Sequence, residues 1–398
     1  MKTSKIIALI TAGLFFLTPS LALAKQKATV DKPFEPIEIE EELPPPIIEE
    51  PPPPSIIEEP PPGVEEPVED GEGLEFLMYN QGGIMAFAVI ADHERYQLRP
   101  VLARGQVPGR ATVSQMNSPY AIATINASYF ATNGVLLGNT KIDGLTAGTT
   151  YYTRSAIGLR ADGSAIFGRL TYRGVLQFNG VEITVAGVNC ERYPDCVVVY
   201  NGWQGATTGT NNFGVEYVVQ EGVVTKILRE AGNTRIPPDG FVISAHGNAA
   251  EFFSGLNVGD LVTFDEDYIN VEHGADFNEA VHVIGAGPTL VKGGEVYVTA
   301  DAERFPNDIK VGRAPRSAVG VTKYGDYILA VVDGRQAHSK GCTLTEWARI
   351  LRDNFGAVEA INLDGGGSSE LFFKGSLVNK PSDGKERPVA DALTILRR

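Results

Sequence analysis

From position 74 onward, short apolar runs alternate with small turn-forming segments. Runs such as IMAFAVIADHERYQL, YAIATINASYF, CVVVYNGW and SAVGVTKYGDYILAVV are rich in β-branched and aromatic residues. They are bounded by dipeptides such as Asp-Gly and Asn-Gly, which favour hairpin turns. Because such side chains suit a half-buried pleated surface, the pattern predicts many short strands in mixed, mostly antiparallel β-sheets.

Two segments carry helical signals instead. In TLTEWARILRDNFGA, Thr343 and Glu346 form a capping box, apolar residues recur on one face, and Gly356 is placed to end the helix. A second short helix is expected in VSQMNSPY. Strands with a few flanking helices predict an α+β fold, arranged as one continuous domain over residues 74–398.

The N-terminal residues have the pattern of a secretory signal. Lys2 and Lys5 precede an apolar run, and the tripeptide ALA at positions 22–24 offers the small residues that a signal peptidase accepts. Residues 1–24 are therefore predicted to be a cleaved signal, with an uncleaved anchor as the alternative. The run is short for a membrane span, and no later segment is long and apolar enough to be one. The predicted location is secreted, periplasmic or in the cell envelope.

Residues 25–73 are predicted to form an acidic tether. The heptapeptide IIEEPPP occurs twice, and residues 31–70 hold fourteen acidic residues and one Lys, which accounts for most of the net charge of −15. Proline and mutually repelling glutamates predict an extended, disordered segment without a core. The rest of the chain is mildly acidic and has no basic stripe, so no nucleic-acid partner is predicted.

The three cysteines fit an exported protein that does not depend on disulfides. Cys190 and Cys196 bracket the turn-like insert ERYPD and could close a hairpin tip by a disulfide. Two free thiols are the alternative. Cys342 is the odd cysteine in either case.

The segment AINLDGGGSSELFF carries a concentrated polar signal between two apolar runs. A predicted strand ends just before Asp364, and Gly365, Gly366 and Gly367 let the backbone approach a ligand closely. Their amides are expected to form a donor nest for a phosphate or carboxylate, with Ser368 adding a hydroxyl. A glycine-rich turn whose aspartate caps its own backbone is the alternative.

Other polar side chains are predicted to stand at strand ends. Arg316 precedes one strand of a predicted hairpin, and Asp333 and Arg335 follow the other. Arginine's planar fork suits phosphate oxygens, although each arginine could instead pair with a neighbouring aspartate and brace a loop. Candidates in neighbouring segments are Asn126, Asn362, Asn379, Asp383 and Arg387.

Five ordered segments resemble the signature blocks of the phosphodiester glycosidase family. They are INASYF, IGAGPTLV, APRSAVGVTKYGDYILAVVDGR, GCTLTEWARILRDNFGAVEAINLDGGGSSELFF and VNKPSDGKERPVADAL. The resemblance covers residues 74–398, which it implies are a catalytic domain. It implies hydrolysis of a sugar joined through its anomeric carbon to a phosphodiester, releasing free sugar and a phosphomonoester. The expected substrate is a phosphorylated glycan of the cell surface or envelope.

The chain departs from that family's pattern at three positions. Ser128 and Tyr129 stand where glycine and phenylalanine are usual, which is expected to narrow or re-polarise the pocket. Glu370 stands where a small hydroxyl or apolar residue is common. An outward-facing strand position would account for Glu370, and it is assigned no role.

The resemblance and the chemistry of glycosidic cleavage together predict a pair of carboxylates. Asp364 is predicted to be the base or nucleophile, with Asp333 or Asp383 as the second carboxylate. Arg316, Arg387 and the glycine amides are expected to hold the phosphate, because a phosphate leaving group depends more on charge stabilisation than on protonation. The family pattern adds Asn126, Arg335, Asn362 and Ser368 to the binding residues.

Cofactor use and two other functions stay open. The histidines show no zinc spacing and no complete calcium loop is present, so no cofactor is predicted. A divalent cation shared by Asp364 and the substrate phosphate is the alternative. A non-catalytic polysaccharide or cell-wall binding module on an acidic stalk is one other function. A phosphodiesterase that breaks the P–O bond and leaves the phosphate on the sugar is the second.

Overall fold

Strands dominate residues 73–398, the part of the chain that the computed structural model describes. Only one of its α-helices is longer than four residues, so the prediction of an α+β fold is wrong: the described part is mostly β. The physical reason is that hairpin signals recur throughout, whereas an amphipathic pattern long enough for a stable helix occurs once. The predicted signal (1–24) and the predicted tether (25–73) lie outside the described residues, apart from Gly73.

The elements follow one another as short strands with few helical interruptions. In chain order the strands are β1 (Leu74–Gln81), β2 (Ile84–Ala91), β3 (Tyr96–Leu102), β4 (Ala123–Asn126), β5 (Thr140–Ile142), β6 (Leu145–Gly148), β7 (Arg154–Leu159), β8 (Ala165–Phe178), β9 (Val181–Thr184), β10 (Gly187–Val188), β11 (Val197–Tyr200), β12 (Val215–Gln220), β13 (Val223–Arg229), β14 (Gly240–Ala245), β15 (Thr263–Asn270), β16 (His282–Gly285), β17 (Thr289–Lys292), β18 (Glu295–Val296), β19 (Arg316–Thr322), β20 (Tyr327–Val332), β21 (Ala357–Asn362), β22 (Leu371–Phe373), β23 (Ser376–Leu377) and β24 (Asp391–Arg397). The α-helices are α1 (Val113–Met116), α2 (Asn307–Lys310) and α3 (Leu344–Phe355). Short 3₁₀ turns span Ala103–Gly105, Gly202–Gln204, Gly247–Phe253, Phe277–Glu279 and Gly366–Ser368.

The strands form four sheets. Sheet A has the order β1-β2-β20-β19-β21-β17-β18, and sheet B has the order β23-β22-β4-β24-β3. Sheet C has the order β15-β8-β7-β16-β5-β6 with β9 paired to β8, and sheet D has the order β10-β11-β14-β12-β13. Among the described strands, only β10 and β11 pair in parallel, so the expected antiparallel pairing is present.

Sheets A and B share a hydrophobic cluster. It contains Leu329 and Ile361 from sheet A together with Ile125 and Leu393 from sheet B, all essentially inaccessible to solvent. The alternating inward positions of both sheets thus bury one another, as face-to-face sheet packing requires. Because β4 and β21 come together through this cluster, the polar residues at their C-terminal ends are brought to one place.

Helix α3 covers the opposite face of sheet A. Trp347 and Leu351 are fully buried in a second cluster there. The predicted capping box is present, since the side chains of Thr343 and Glu346 each accept the other's backbone N–H, and Gly356 ends the helix with φ of 73°. The prediction of this helix is confirmed. Gly356 then leads directly into β21, which ends at the candidate site.

Sheet D shares a separate cluster with β8 and β9 of sheet C, and Val199, Tyr217 and Ile243 belong to it. It carries none of the side chains predicted to act on substrate. None of the helices in residues 73–398 has the length and apolar character needed to cross a bilayer.

Replacing the helix cap should weaken the fold in a local and measurable way. We expect Thr343→Ala to lower the free energy of unfolding by about 1 kcal/mol, because the α3 cap loses its side-chain acceptor. Chemical denaturation measures this change. The matched control is Thr345→Ala at an exposed position of the same helix, which should be neutral or slightly stabilising. Equal losses in the two variants would contradict the cap's contribution.

Candidate active site

Four strand ends meet where sheets A and B come together. Arg316 begins β19 opposite Val332 at the end of β20, and Ala318 of β19 pairs with Asn362 at the end of β21. The side chain of Asn126, at the end of β4, donates to the Asp364 carbonyl at 2.7 Å. Antiparallel register therefore brings the predicted polar residues together at one end of the central strands of sheet A.

Asp364 lies half-buried at the start of the glycine loop. Its carboxylate accepts the Gly365 N–H at 2.9 Å. Burial raises the pKa of Asp364 to about 6, although the nearby Ser368 hydroxyl, the Gly365 amide and the charge of Arg387 oppose the rise. A carboxyl group that titrates near neutrality can exchange a proton with a substrate or a water molecule.

The three glycine amides do not form an open nest. The Gly365 amide is engaged by Asp364, and the Gly366 amide donates to the Pro315 carbonyl at 2.9 Å. Gly366 has φ of 67°, which favours glycine at that position. Among the described residues only the Gly367 amide of the three has no acceptor. The structure thus combines the turn alternative, in which Asp364 caps its own loop, with one free donor.

Gly367 is required because an ion pair packs against its backbone. Asp383 accepts two hydrogen bonds from the Arg387 guanidinium, at 2.9 and 2.7 Å. A Cβ atom at Gly367 would lie 2.1 Å from the Arg387 guanidinium and 2.2 Å from the Asp383 carboxylate. Asp383 and Arg387 therefore brace the loop as a pair, as the alternative for the arginines states, while keeping a positive charge beside Asp364.

Arg316 is a buried cation without a carboxylate partner. Its side chain is 3% exposed and donates to the carbonyls of Cys342 and Gly312, at 3.2 and 3.3 Å. No ion pair involves Arg316 in the described part of the chain, and burial lowers the pKa of its guanidinium. It lies against the glycine loop, because a Cβ atom at Gly365 would be 3.9 Å from the Arg316 Cδ. An anion bound at this point would supply the missing countercharge.

Arg335 approaches the same loop from the exposed side. Its backbone has φ of 58°, and a Cβ atom at Gly366 would lie 3.3 Å from its guanidinium. Within residues 73–398 it forms no ion pair. Arg335 and Arg316 therefore stand near the glycine loop as two cations without a bound carboxylate.

Asp333 is already saturated with hydrogen bonds. One oxygen accepts from the Asn379 side chain at 3.1 Å and from the Lys380 amide at 2.9 Å. The other lies 2.8 Å from the Nε2 atom of His338, whose side chain is partly exposed. This environment suits a residue that orients His338 and the Asn379 segment better than one that activates a water molecule.

The two predicted asparagines act mainly on the protein itself. Asn126 accepts hydrogen bonds from the Ser317 hydroxyl at 2.7 Å and from the Glu370 amide at 3.2 Å. Asn362 donates to the Tyr129 hydroxyl at 3.1 Å, and its buried Oδ1 atom has no partner. Tyr129 in turn donates to the Gly287 carbonyl at 3.1 Å. The tyrosine that departs from the family pattern thus joins the end of β21 to the segment before β17.

Asp391 is a functional candidate that the sequence analysis missed. It begins β24, is fully buried, and accepts hydrogen bonds from the amide and the hydroxyl of Ser128, both at 2.8 Å. Burial, with a smaller contribution from the charge of Asp364, raises the pKa of Asp391 to about 6, although the two hydrogen bonds from Ser128 oppose the rise. The signal that could have identified it is a single carboxylate at the edge of the apolar run VADALTIL.

Glu370 does not face outward as expected. It is 0% exposed, and one of its oxygens accepts the Arg387 amide at 2.8 Å while the other has no partner. Burial raises the pKa of Glu370 to about 8, so the neutral acid predominates at pH 7. Its two neighbours Ser368 and Ser369 are also buried with hydroxyl groups that lack partners. The strand alternation failed because β22 starts only at Leu371, and Glu370 belongs to the turn that enters the site.

The predicted disulfide is not formed. Cys190, Cys196 and Cys342 are all free thiols, which agrees with the alternative of unpaired cysteines. Burial raises the pKa of the Cys190 thiol to about 12, so it is a poor nucleophile at neutral pH.

A group of possible metal ligands lies away from Asp364. Within residues 73–398, the group of His and carboxylate side chains close enough to share an ion is Asp92, His93 and Asp326. It lies at the other end of β20, because Asp326 precedes that strand and Asp333 follows it.

Known proteins show similarity to both the sequence and the fold. The family model of the phosphodiester glycosidases matches residues 213–396. The N-acetylglucosamine-1-phosphodiester alpha-N-acetylglucosaminidase of Mus musculus is 32% identical over 157 residues, which cover 36% of this chain and 29% of that protein. The matched regions span less than a third of the length of this and the other curated relatives.

Two solved structures have the same fold. A hypothetical protein from Synechocystis has a TM-score of 0.71 at 26% identity, covering 82% of this chain and 62% of that one. A putative exported protein from Burkholderia pseudomallei has a TM-score of 0.67 at 24% identity, covering 79% of this chain and 74% of that one, and it shows the fold alone.

The matched residues 213–396 contain most of the candidate site. They include Arg316, the Asp364 loop, the Asp383–Arg387 pair and Asp391. Residues 213–396 of this chain therefore belong to the phosphodiester glycosidase family.

Proposed function

We propose that this protein is an exported hydrolase that cleaves the glycosidic bond of a sugar-1-phosphodiester, releasing free sugar and a phosphomonoester. The observation that carries the proposal is the contrast between Arg316 and Asp364. Arg316 is a buried cation without a countercharge, and it lies against the loop of a carboxyl whose pKa is about 6. An anionic phosphodiester binds to Arg316, and its anomeric carbon is then presented to Asp364.

The charge of the phosphate leaving group determines which residues bind it. A phosphomonoester leaves readily if its charge is stabilised, so Arg316, Arg335 and Arg387 bind its oxygens and the Gly367 amide donates to them. Asn126 and Asn362 fix the ends of β4 and β21, and Ser368 contributes its unpartnered hydroxyl. The glycine-rich turn lets these groups come close to the phosphate without a side chain between them.

The reacting carboxylates are Asp364 and Asp391. Asp364, as the more accessible, acts as the nucleophile or base at the anomeric carbon. Asp391 is preferred over Asp333 and Asp383 as the second carboxylate because its pKa of about 6 responds to the charge of Asp364. Asp333 is bound by His338 and Asn379, and one oxygen of Asp383 is bound by Arg387, so both carboxylates position residues around the phosphate. Among the described residues, the oxygens of Asp391 are bound by Ser128 alone.

The sequence outside the described residues supports an envelope substrate. A signal at residues 1–24 and an acidic tether at residues 25–73 would place residues 74–398, as one catalytic domain, at a distance from the membrane or wall. The Mus musculus relative is by its name a hydrolase of an N-acetylglucosamine phosphodiester. The substrate class is therefore a phosphorylated glycan of the cell surface or envelope, including exopolysaccharide.

The products distinguish this function from a phosphodiesterase that leaves the phosphate on the sugar and from a binding module. Incubation with a sugar-1-phosphodiester should release reducing sugar and phosphomonoester in equal amounts, measured by a reducing-end assay and phosphorus NMR. Release of sugar-1-phosphate would instead identify a phosphodiesterase that cleaves on the far side of phosphorus. Binding without either product would identify a polysaccharide-binding module.

Removing the ionisable carboxyl of the glycine loop should abolish most of the activity. We expect Asp364→Asn to lower kcat by about a hundredfold or more, because the amide cannot take a proton or attack carbon. The matched control is Asp265→Asn at an exposed position of β15, which should keep full activity. Thermal melting confirms that both variants fold. A rate within a few-fold of wild type for folded Asp364→Asn would rule out this role.

The pH dependence should report the ionisation of Asp364. The pKa of Asp364 is raised to about 6, and the base or nucleophile must be ionised, so kcat/KM should rise as pH increases through about 6 and then level off. A pH series with a substrate whose phosphodiester stays ionised throughout isolates the enzyme's groups. A profile that is flat between pH 5 and 7 would contradict the assignment.

A further inference from the structure

A second buried arginine lies near the candidate site and has no hydrogen-bond or ion-pair partner in the described part of the chain. Arg154 begins β7 and is 9% exposed. Its guanidinium makes no hydrogen bond and no ion pair among the described residues, and its buried NH1 atom is left unsatisfied. Burying such a group without a partner is costly, so a folded protein that contains one has a candidate anion-binding position.

The carboxylate that acts electrostatically on Arg154 is already occupied. Glu303 favours the charged form of Arg154, but its oxygens accept the Ser155 amide at 2.8 Å, the Ser155 hydroxyl at 2.6 Å and the Thr289 amide at 3.2 Å. The Thr299 hydroxyl donates to it as well. Glu303 therefore offsets part of the charge of Arg154 without satisfying any of its donors.

Aromatic rings hold the Arg154 guanidinium in a fixed plane. Its Cζ atom lies 4.0 Å from the centre of the Phe305 ring and 4.6 Å from the centre of the Tyr152 ring. Stacking on ring faces leaves the N–H edge of a guanidinium available for hydrogen bonds in its own plane. An arginine held in this way is preorganised to bind a planar or tetrahedral oxyanion through two parallel hydrogen bonds.

The same stack connects Asp364 to solvent. Tyr129, whose pKa is raised in part by the charge of Asp364, has its ring 5.6 Å from that of Phe305. At the other end, the Tyr151 ring lies 4.1 Å from the Tyr152 ring and is 81% exposed. Exposed tyrosine rings offer apolar faces on which the C–H face of a sugar can pack.

We propose that Arg154 and the rings of Tyr151 and Tyr152 form a subsite for an acidic sugar, in which Arg154 binds a carboxylate or phosphate-ester oxyanion on the glycan side of the substrate. The inference rests on the proposed function and adds to it a substrate with a second negative charge. Arg316 and the glycine loop bind the phosphodiester, and Arg154, which stacks on Phe305, binds the other charged group.

Binding of small charged sugars to the full chain tests the subsite without catalysis. Sodium glucuronate supplies the carboxylate source, glucose 6-phosphate supplies the phosphate-ester source, and glucose is the neutral control. The measurement is the rise in melting temperature with ligand concentration, which gives an apparent Kd for each. We expect at least one charged sugar to bind wild type at least tenfold more tightly than glucose does.

Two variants assign that preference to a position. Arg154→Gln should remove the tenfold preference, whereas Arg316→Gln should retain it. Without ligand, Arg154→Gln should melt at the same or a higher temperature than wild type, because it removes an unpaired buried charge. If Arg154→Gln does not fold, Arg154→Lys replaces it, with at least a fivefold loss expected because the two-donor edge is gone.

The contrary outcomes are equally specific. A wild type with no preference for charged sugars would overturn the proposal, as would unchanged binding in the folded Arg154 variant. A failure of the proposed function is visible separately. Arg154-dependent binding with no hydrolysis of any sugar-1-phosphodiester would refute the reaction and support the subsite, and hydrolysis with no such binding would do the reverse.

Discussion

The candidate site depends on the way the side chain of Asn126 ties two sheets together. Its amide nitrogen binds the Asp364 carbonyl, and its oxygen accepts from Ser317 in sheet A and from the amide of Glu370. A buried amide with this many partners holds its neighbours in one arrangement, because any shift leaves a polar group unsatisfied. The glycine loop is thereby fixed at both ends, before Gly365 and after Ser369, and the Asp364 carboxyl sits on a rigid support.

Around Asn126, burial determines the pKa values of the candidate-site carboxyl groups. Desolvation places the pKa values of Asp364 and Asp391 near 6 and that of Glu370 near 8, while Arg316 and Arg154 remain charged without carboxylate partners. Buried cations without countercharges lower the stability of the empty protein, and they favour the binding of an anionic ligand. Carboxyl groups with raised pKa values are easily protonated, so they repel such a ligand less. A bound anion supplies the missing countercharge, and this contributes to the free energy of binding.

Local signals in the sequence predicted local structure well. The α3 capping box, the β19–β20 hairpin and the placement of Arg316 at its open end depend on residues close together in the chain, and the structure contains all of them. The fold class and the buried acids were beyond such signals, because the burial of Glu370 and Asp391 comes from packing between distant strands. The hydrogen bond from the Gly366 amide to the Pro315 carbonyl is likewise a tertiary contact, and the run of three glycines in the sequence does not reveal it.

In the proposed reaction, water attacks the sugar carbon and leaves phosphorus untouched. Free sugar and phosphomonoester could also arise by cleavage between phosphorus and the sugar oxygen, so the products alone do not identify the broken bond. Hydrolysis in oxygen-18-labelled water does, because label in a phosphate ester does not exchange with solvent. Mass spectrometry of the phosphomonoester should find no oxygen-18 in it if the glycosidic C–O bond is broken. One labelled oxygen per phosphomonoester would show attack at phosphorus and contradict the account.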